Sequence, residues 1–379
     1  MGKIMTASVK SPREHYLDNL RWIAMLLGVL VHASTLGAFG LIDNVTTISS
    51  MFRMALFFMI SGYLGAMLLQ RKKVSEFLIG RMRNLLIPLI AATVLLNPIT
   101  IWLMFQYLDG SPSWPRVLSV FSGTDPELGV HIVWHMHLWF LLSLIFFVLL
   151  GSLLRHSISN FSNLVEEKLF NSRTSIKLIP TLVLVFGVFV SLTLMAFLRI
   201  IQNFIGEVPW LVRVTFQYVP FYLIGMLLFN SPKLLERVRE ADYILGGVIL
   251  SAYFLARYGS EFVSCGGVFV MVSLIAVRIW VCFFFLGLGF RFLNMENRFT
   301  SLMSRSIYTI YIFHFLILYG VATAVSPLFE ITPVTYWVVV ILTLAFSLLL
   351  HVFLIERSPF LSFVFNGRKL SNKEIRIRA

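Results

Sequence analysis

The chain has 379 residues, 58% of them hydrophobic and only 13% charged, which is too apolar for a soluble fold and makes lipid the expected solvent. Its formal charge of +13 comes without basic runs interleaved with aromatics, so a nucleic-acid-binding strip is excluded. Two cysteines, Cys265 and Cys282, lie in or beside apolar runs and give neither a disulfide framework nor zinc-type spacing.

A hydrocarbon core about 30 Å thick takes roughly 20 apolar residues per helix, a length the sequence supplies repeatedly; a β-barrel would alternate in shorter segments. The expected class is all-α, a polytopic membrane protein with about ten transmembrane helices. The spans run near Leu17 to Ala38, Met51 to Leu69, Leu85 to Gln106, Trp134 to Leu154 and Leu178 to Leu198. The second half continues near Trp210 to Phe229, Tyr243 to Leu255, Gly267 to Phe290, Leu302 to Val325 and Val334 to Ile355, the seventh being short. No internal repeat or linker divides them, so residues 1–379 form one membrane domain with short basic tails, 1–16 and 357–379. The loop from Tyr107 to Val133 is rich in Pro, Gly and Ser. Arg21 and His32 inside the first run argue against a cleaved signal peptide ending near Ala33.

With the N-terminus inside, Arg116, Arg199, Arg213 and Arg257 fall outside, and Arg21, Arg53 and Arg278 within spans. All the other Lys and Arg residues fall inside, so the positive-inside rule places both termini in the cytoplasm.

Ionisable residues within spans cost roughly 2.5 to 3.5 kcal/mol each on insertion scales, which makes each a functional hypothesis. In the first span Arg21 and His32 are 11 residues apart, so they return to within about 20° of one another and stand about 16 Å apart along the axis. Arg21, one turn after Asp18, offers forked donors to a phosphate or carboxylate at the cytoplasmic mouth. His32, nearer the far side, is suited to take a proton from a hydroxyl. The structural alternative is an interfacial Asp18–Arg21 pair and a His32 that bonds between helices.

Arg53 opens the second span, either as a snorkelling anchor or as a fixed cation beside His32. Ser61 and Gly62 permit close helix approach, and Tyr63 adds a hydroxyl. His131, His135 and His137 cluster at the outer end of the fourth span, followed by Trp139. His131 and His135 have i, i+4 spacing, but no nearby carboxylate completes a set, so no metal is expected and a sugar-binding rim is favoured. His314 lies near mid-membrane in the ninth span with Tyr311 one turn before it; His351 has no constellation and reads as structural.

Four strings resemble the acyltransferase-3 family of membrane acyltransferases. They are Leu17-Asp18-Asn19-Leu20-Arg21 followed by His32, Phe57-Phe58 leading to Ser61-Gly62-Tyr63, His137-Leu138-Trp139-Phe140, and the stretch from Tyr308 to His314. Phe52-Arg53-Met54, Val219-Pro220-Phe221, Arg257-Tyr258-Gly259-Ser260, Gly289 to Asn294 and Ser358-Pro359 to Gly367 resemble its branch acting on osmoregulated periplasmic glucans. The resemblance implies a multi-pass protein of the bacterial inner membrane that moves an acyl group from cytoplasmic acyl-CoA to a glycan hydroxyl. It implies His32 as catalytic base with Arg21 as its partner on the donor path, and Arg21, Arg81 and Arg83 holding the CoA phosphates. The family shows Arg-x-x-Arg before the proline at Pro88, and here Asn84 stands where the second Arg is expected.

For that branch the implied donor is succinyl-CoA, a co-substrate rather than a permanently bound cofactor. Arg53, His137, Trp139, Tyr311 and His314 are the expected substrate-binding residues, Arg53 meeting the succinyl carboxylate. Expected partners are acyl-CoA, periplasmic glucan or another glycan, membrane lipids and other glucan-biosynthesis proteins. Two other readings remain open at this point: an O-acetyltransferase of another cell-surface glycan, and a proton-coupled transporter or exporter.

Overall fold

Backbone in hydrocarbon must bond to itself, and the apolar runs do so as helices. The computed structural model describes residues 14–37, 41–120, 123–125, 127–129, 131–171, 178–240, 243–258 and 267–369. Of the expectations above, the tails before 14 and after 369, Arg173, Lys177, Gly259, Ser260 and Cys265 lie outside the described residues.

The chain enters through α1 (His15–Ala33) and returns through α2 (Leu41–Arg71). Next, α3 (Val74–Ala91), a π turn (Ala92–Leu96) and α4 (Asn97–Leu108) form one bent crossing, with Pro88 and the π turn interrupting its hydrogen-bond ladder. Beyond it come α5 (Trp114–Ser119), the two-residue antiparallel strands β1 (Gly123–Thr124) and β2 (His131–Ile132), and α6 (Trp139–Asn171). Then follow α7 (Ile179–Ile205), α8 (Trp210–Asn230), the short α9 (Pro232–Arg239), α10 (Tyr243–Tyr258) and α11 (Gly267–Phe292). Capping boxes at Asn297/Thr300 and Thr332/Thr335 start α12 (Arg298–Val325) and α13 (Pro333–Leu350), and α14 (Pro359–Asn366) stops at Gly367 in the left-handed region.

Among the described residues nine helical stretches are long and apolar enough to cross a membrane, and Tyr243–Leu255 is a shorter apolar helix. Several helices outrun their hydropathic spans. The second begins at Leu41 rather than Met51, the third at Val74 rather than Leu85, and the fifth continues to Ile205 rather than Leu198. Their added turns are more polar and project past the apolar layer, where hydropathy is silent and helical hydrogen bonding continues.

The tightest seam joins α2 to α8. A side chain at Gly62 would strike the backbone carbonyl of Tyr222, and one at Gly225 that of Met59, so each glycine receives the opposite helix. Lipid offers little hydrophobic drive between helices, and close van der Waals approach of this kind is what holds them. Ser143 and Thr215 join α6 to α8 at 2.7 Å, and Tyr336 donates from α13 to the Leu30 carbonyl of α1 at 2.9 Å.

Both ends of the described chain sit at one end of the bundle. Arg239 binds Glu14 (3.0 Å) and Tyr16 (2.6 Å), while Arg83 Nε donates to the Gly367 carbonyl at 3.1 Å. This end is rich in Lys and Arg, as the positive-inside rule expects of a cytoplasmic face.

Candidate active site

The face of α1 anticipated from helical phase is realised. Arg21, Met25, Gly28 and His32, spaced by four, three and four residues, line two cavities in series. The inner cavity, about 270 Å³, holds Arg21; the outer, about 60 Å³, holds His32. Met25, Phe57, Phe140 and Tyr311 line both, so they form the wall where the cavities meet.

The outer cavity gathers three imidazoles from three helical segments. His314 lies 5.2 Å from His32 and 4.9 Å from His137 between ring centroids, and His32 lies 6.1 Å from His137. Phe315 packs against His32 at 5.0 Å and His137 at 5.1 Å. His314 Nδ1 lies 3.0 Å from the Ile310 carbonyl and 2.8 Å from that of Tyr311; carbonyls only accept, so Nδ1 carries the proton and Nε2 of the neutral ring is left as an acceptor. Both nitrogens of His137 are buried without a hydrogen bond among the described residues, and one of them must carry a proton. His137 and His314 are buried, whereas His32 stays partly exposed.

His137 reaches this place through a strained turn. Met136, the first residue of the single helical turn that carries His137, has φ +43°, a left-handed conformation unfavourable for a side chain of its size. Tyr311 Oη donates to the His137 carbonyl at 3.0 Å and fixes the turn from α12. Trp139 closes the cavity beside Tyr218, with 6.2 Å between ring centroids.

Arg53 is buried rather than snorkelling outward. Its Nη1 donates to the Leu27 carbonyl at 3.1 Å, and its guanidinium lies over Gly28 in the same cavity as His32. Two α1 positions thus bracket a fixed cation whose other donors make no further hydrogen bond among the described residues.

The inner cavity is cationic. Arg21, Arg81 and Arg305 line it with Tyr308 and Asn84. Arg21 keeps a loose contact with Asp18 at 3.6 Å. Arg83 is not among the lining side chains; its bond to Gly367 ties α3 to α14 instead. Asn84, oriented to satisfy its neighbours, donates to the Gly80 (3.1 Å) and Gly367 (2.7 Å) carbonyls, and Tyr308 Oη donates to the Asn84 carbonyl at 2.7 Å. Arg305, which sequence reasoning treated only as an inside charge, supplies a third guanidinium while holding Glu356 at 3.2 Å. Its position three residues before Tyr308 was the available signal.

The remaining histidines take other places. Residues 131–135 form a strand and turn rather than the outer end of a helix, so the i, i+4 pairing of His131 and His135 does not arise. His131 meets Thr124 at 3.1 Å, and His135 stacks on Trp210 at 6.3 Å. Burial pushes His135 below its ordinary range. His351 bonds Thr309 at 2.8 Å. The loop before them is pinned by Arg116, which binds Asp125 through two 2.8 Å hydrogen bonds and Asp109 at 2.6 Å. Arg116 holds the Asp125 carboxyl down at about 2. Val117, Val120 and Ile132 then pack with Ala33, Leu36 and Phe315, forming a cap at the outer end beside the imidazoles.

With this geometry in view, comparison with known proteins adds chemistry. Residues 14–352 match the acyltransferase-3 family, described as an acyltransferase domain. Glucans biosynthesis protein C of Escherichia coli (strain K12) and that of Shigella dysenteriae serotype 1 (strain Sd197) are each 27% identical over 394 residues, covering 97% of this chain and 97% of the relative. Glucans biosynthesis protein C of Escherichia coli O81 (strain ED1a) is 26% identical over the same lengths. No solved structure matches.

Proposed function

The chain belongs to the acyltransferase-3 family and is a multi-pass membrane acyltransferase; from that premise we propose that it transfers a succinyl group from cytoplasmic succinyl-CoA to hydroxyls of periplasmic glucans across a bacterial inner membrane. The observation that carries the reading is the serial arrangement on one face of α1, with arginines in the wider inner cavity and imidazoles in the narrow outer one.

Arg21, Arg81 and Arg305 offer forked donors to the CoA phosphates, a task suited to the wetter, cytoplasmic side. The pantetheine arm passes Met25, Phe57, Phe140 and Tyr311 to bring the thioester beside His32. His32, the accessible imidazole, takes the acceptor hydroxyl's proton as its oxygen attacks the thioester carbonyl. His137 donates its N–H to the developing oxyanion, and Tyr311 holds His137 through its carbonyl. The carbon–sulfur bond then breaks, the proton passes from His32 to the departing thiolate, and CoA and the succinyl ester leave. Arg53, fixed over Gly28, pairs with the distal carboxylate.

Mass spectrometry of periplasmic glucans from a deletion strain complemented with wild type, His32→Ala or Arg53→Ala tests this. Succinyl should disappear with His32→Ala and fall strongly with Arg53→Ala. Loss of acetyl from a surface polysaccharide instead would assign a different donor and acceptor, and unchanged glycans with altered solute uptake would remove the acyl-transfer assignment to His32. Retained succinylation in Arg53→Ala, with none in His32→Ala, rules out the carboxylate role.

A further inference from the structure

A third cavity, about 430 Å³, lies between α7, α8 and α11 and takes no part in the acyl-transfer route. Its walls are largely apolar, including Leu198, Met271 and Leu274. Three guanidiniums enter it, Arg199 from α7, Arg213 from α8 and Arg278 from α11, with the amides of Gln202 and Gln217. Among the described residues no Asp or Glu lines it. Glu207 lies 3.7 Å from Arg213, but its side chain is 81% exposed, and a loose surface pair of that kind leaves the guanidinium available. The Nε of Arg278 is buried and has no hydrogen-bond partner among the described residues.

Depth narrows the ligand class. Helices α7 and α11 have 27 and 26 residues, so each is about 40 Å long and exceeds the hydrocarbon thickness of about 30 Å. Their outer turns stand in the headgroup layer. Arg199 lies in the last two turns of α7, Arg213 in the first turn of α8, and Arg278 deeper on α11, where a long side chain can still extend outward. Arg199 and Arg213 therefore stand near the outer interface, and Arg278 reaches the same cavity from near the middle of α11, among apolar walls.

We infer that this cavity binds the headgroup of an anionic phospholipid from the outer leaflet. The phosphate meets Arg199, Arg213 and Arg278, and an acyl chain lies along Leu198, Met271 and Leu274. Cations without facing carboxylates select an anion. Apolar walls at membrane depth select an amphiphile over a free anion, and a neutral glycan would leave the guanidiniums uncompensated. Trp210 lines this cavity and meets Trp139 of the histidine cavity with ring centroids 5.7 Å apart, so a bound lipid braces the wall of the candidate active site.

The test is native mass spectrometry of the full chain in detergent, titrated with phosphatidylglycerol or with phosphatidylcholine of the same acyl chains. One phosphatidylglycerol should bind, with phosphatidylcholine at least about tenfold weaker, the scale of one lost charge-assisted contact. Arg278→Gln should weaken phosphatidylglycerol about tenfold and Arg278→Lys should regain most of that loss. Arg199→Gln, at an exposed position, repeats the test without risk to folding. Equal binding of the two lipids, or unchanged binding in both glutamine variants, overturns the inference. So does displacement of phosphatidylglycerol by inorganic phosphate alone, which makes the ligand a free anion, or by a soluble glucan oligosaccharide, which makes the cavity an acceptor site. Because the readout is binding, the outcome is independent of which acyl group the enzyme transfers.

Discussion

The two cavities along α1 solve opposite electrostatic problems. The inner one keeps three arginines in about 270 Å³ near the Lys- and Arg-rich end of the bundle, where long side chains stay partly solvated. The outer one holds three imidazoles and one buried arginine in about 60 Å³. Imidazole can be neutral at ordinary pH, so a cluster of them is tolerated where a cluster of guanidiniums would be costly. In the proposed route charge recognition sits at the mouth and proton handling in the interior, with four apolar or aromatic side chains between.

The sharpest way to break this division is to remove the proposed proton acceptor. His32→Ala should lower transfer by about a hundredfold to ten-thousandfold, the usual contribution of a general base, while CoA binding is unchanged. Radiolabelled acyl transfer and CoA titration on the same purified protein separate the two quantities. A variant that loses CoA affinity in parallel with rate would place His32 in donor binding instead.

Filling the shared wall should come next. Met25→Trp adds bulk between the cavities, and a loss of about a hundredfold in transfer with intact CoA binding is the expected pattern for a reacting group held out of position. Equal transfer by Met25→Trp would mean that the acyl group does not pass this wall.

Smaller effects distinguish lining from supporting arginines. Arg21→Gln and Arg81→Gln should each raise the KM for acyl-CoA about tenfold with little change in kcat, as expected for a lost phosphate contact. Arg83→Gln should leave KM alone and loosen the α3–α14 junction, read as a lower melting temperature. A KM effect at Arg83 equal to that at Arg21 would remove this distinction.

Periodicity made much of this arrangement readable in advance. The Arg21–His32 face follows from 3.6 residues per turn, and the all-α membrane class follows from run length. Joining His137 to His314 did not follow, because it depends on the turn at Met136 and on a bond from Tyr311 that lies 174 residues away in sequence. Arg83 illustrates the converse. Its neighbour Arg81 enters the cavity while Arg83 turns to Gly367, and adjacent basic residues carry no sequence signal of which will do so. The loop between α4 and α6 was legible only as Pro, Gly and Ser rich, since Arg116 organises it through acids at Asp109 and Asp125 rather than through a repeating pattern.

That loop gives the mildest test, because it acts on the outer cavity from outside. Asp125 has a pKa of about 2 in the folded protein against an ordinary 3.8, through its hydrogen bonds from Arg116. A depressed carboxyl stabilises the cap fully above its ordinary value, and the contribution fades as pH falls from about 4 towards about 2. Hydrogen exchange over residues 109–135 should therefore be flat between pH 7 and 5 after correction for the intrinsic rate, and rise below about 4. Asp125→Asn removes the charge at every pH, so it should raise exchange at pH 7 and flatten the acid rise. Transfer should change by only a few fold, since His32, His137 and His314 are held by α1, α12 and the Tyr311 bond rather than by the cap. A loss with Asp125→Asn as large as that with His32→Ala would make the cap part of the reacting site and erase the contrast between a rigid interior and a removable cover.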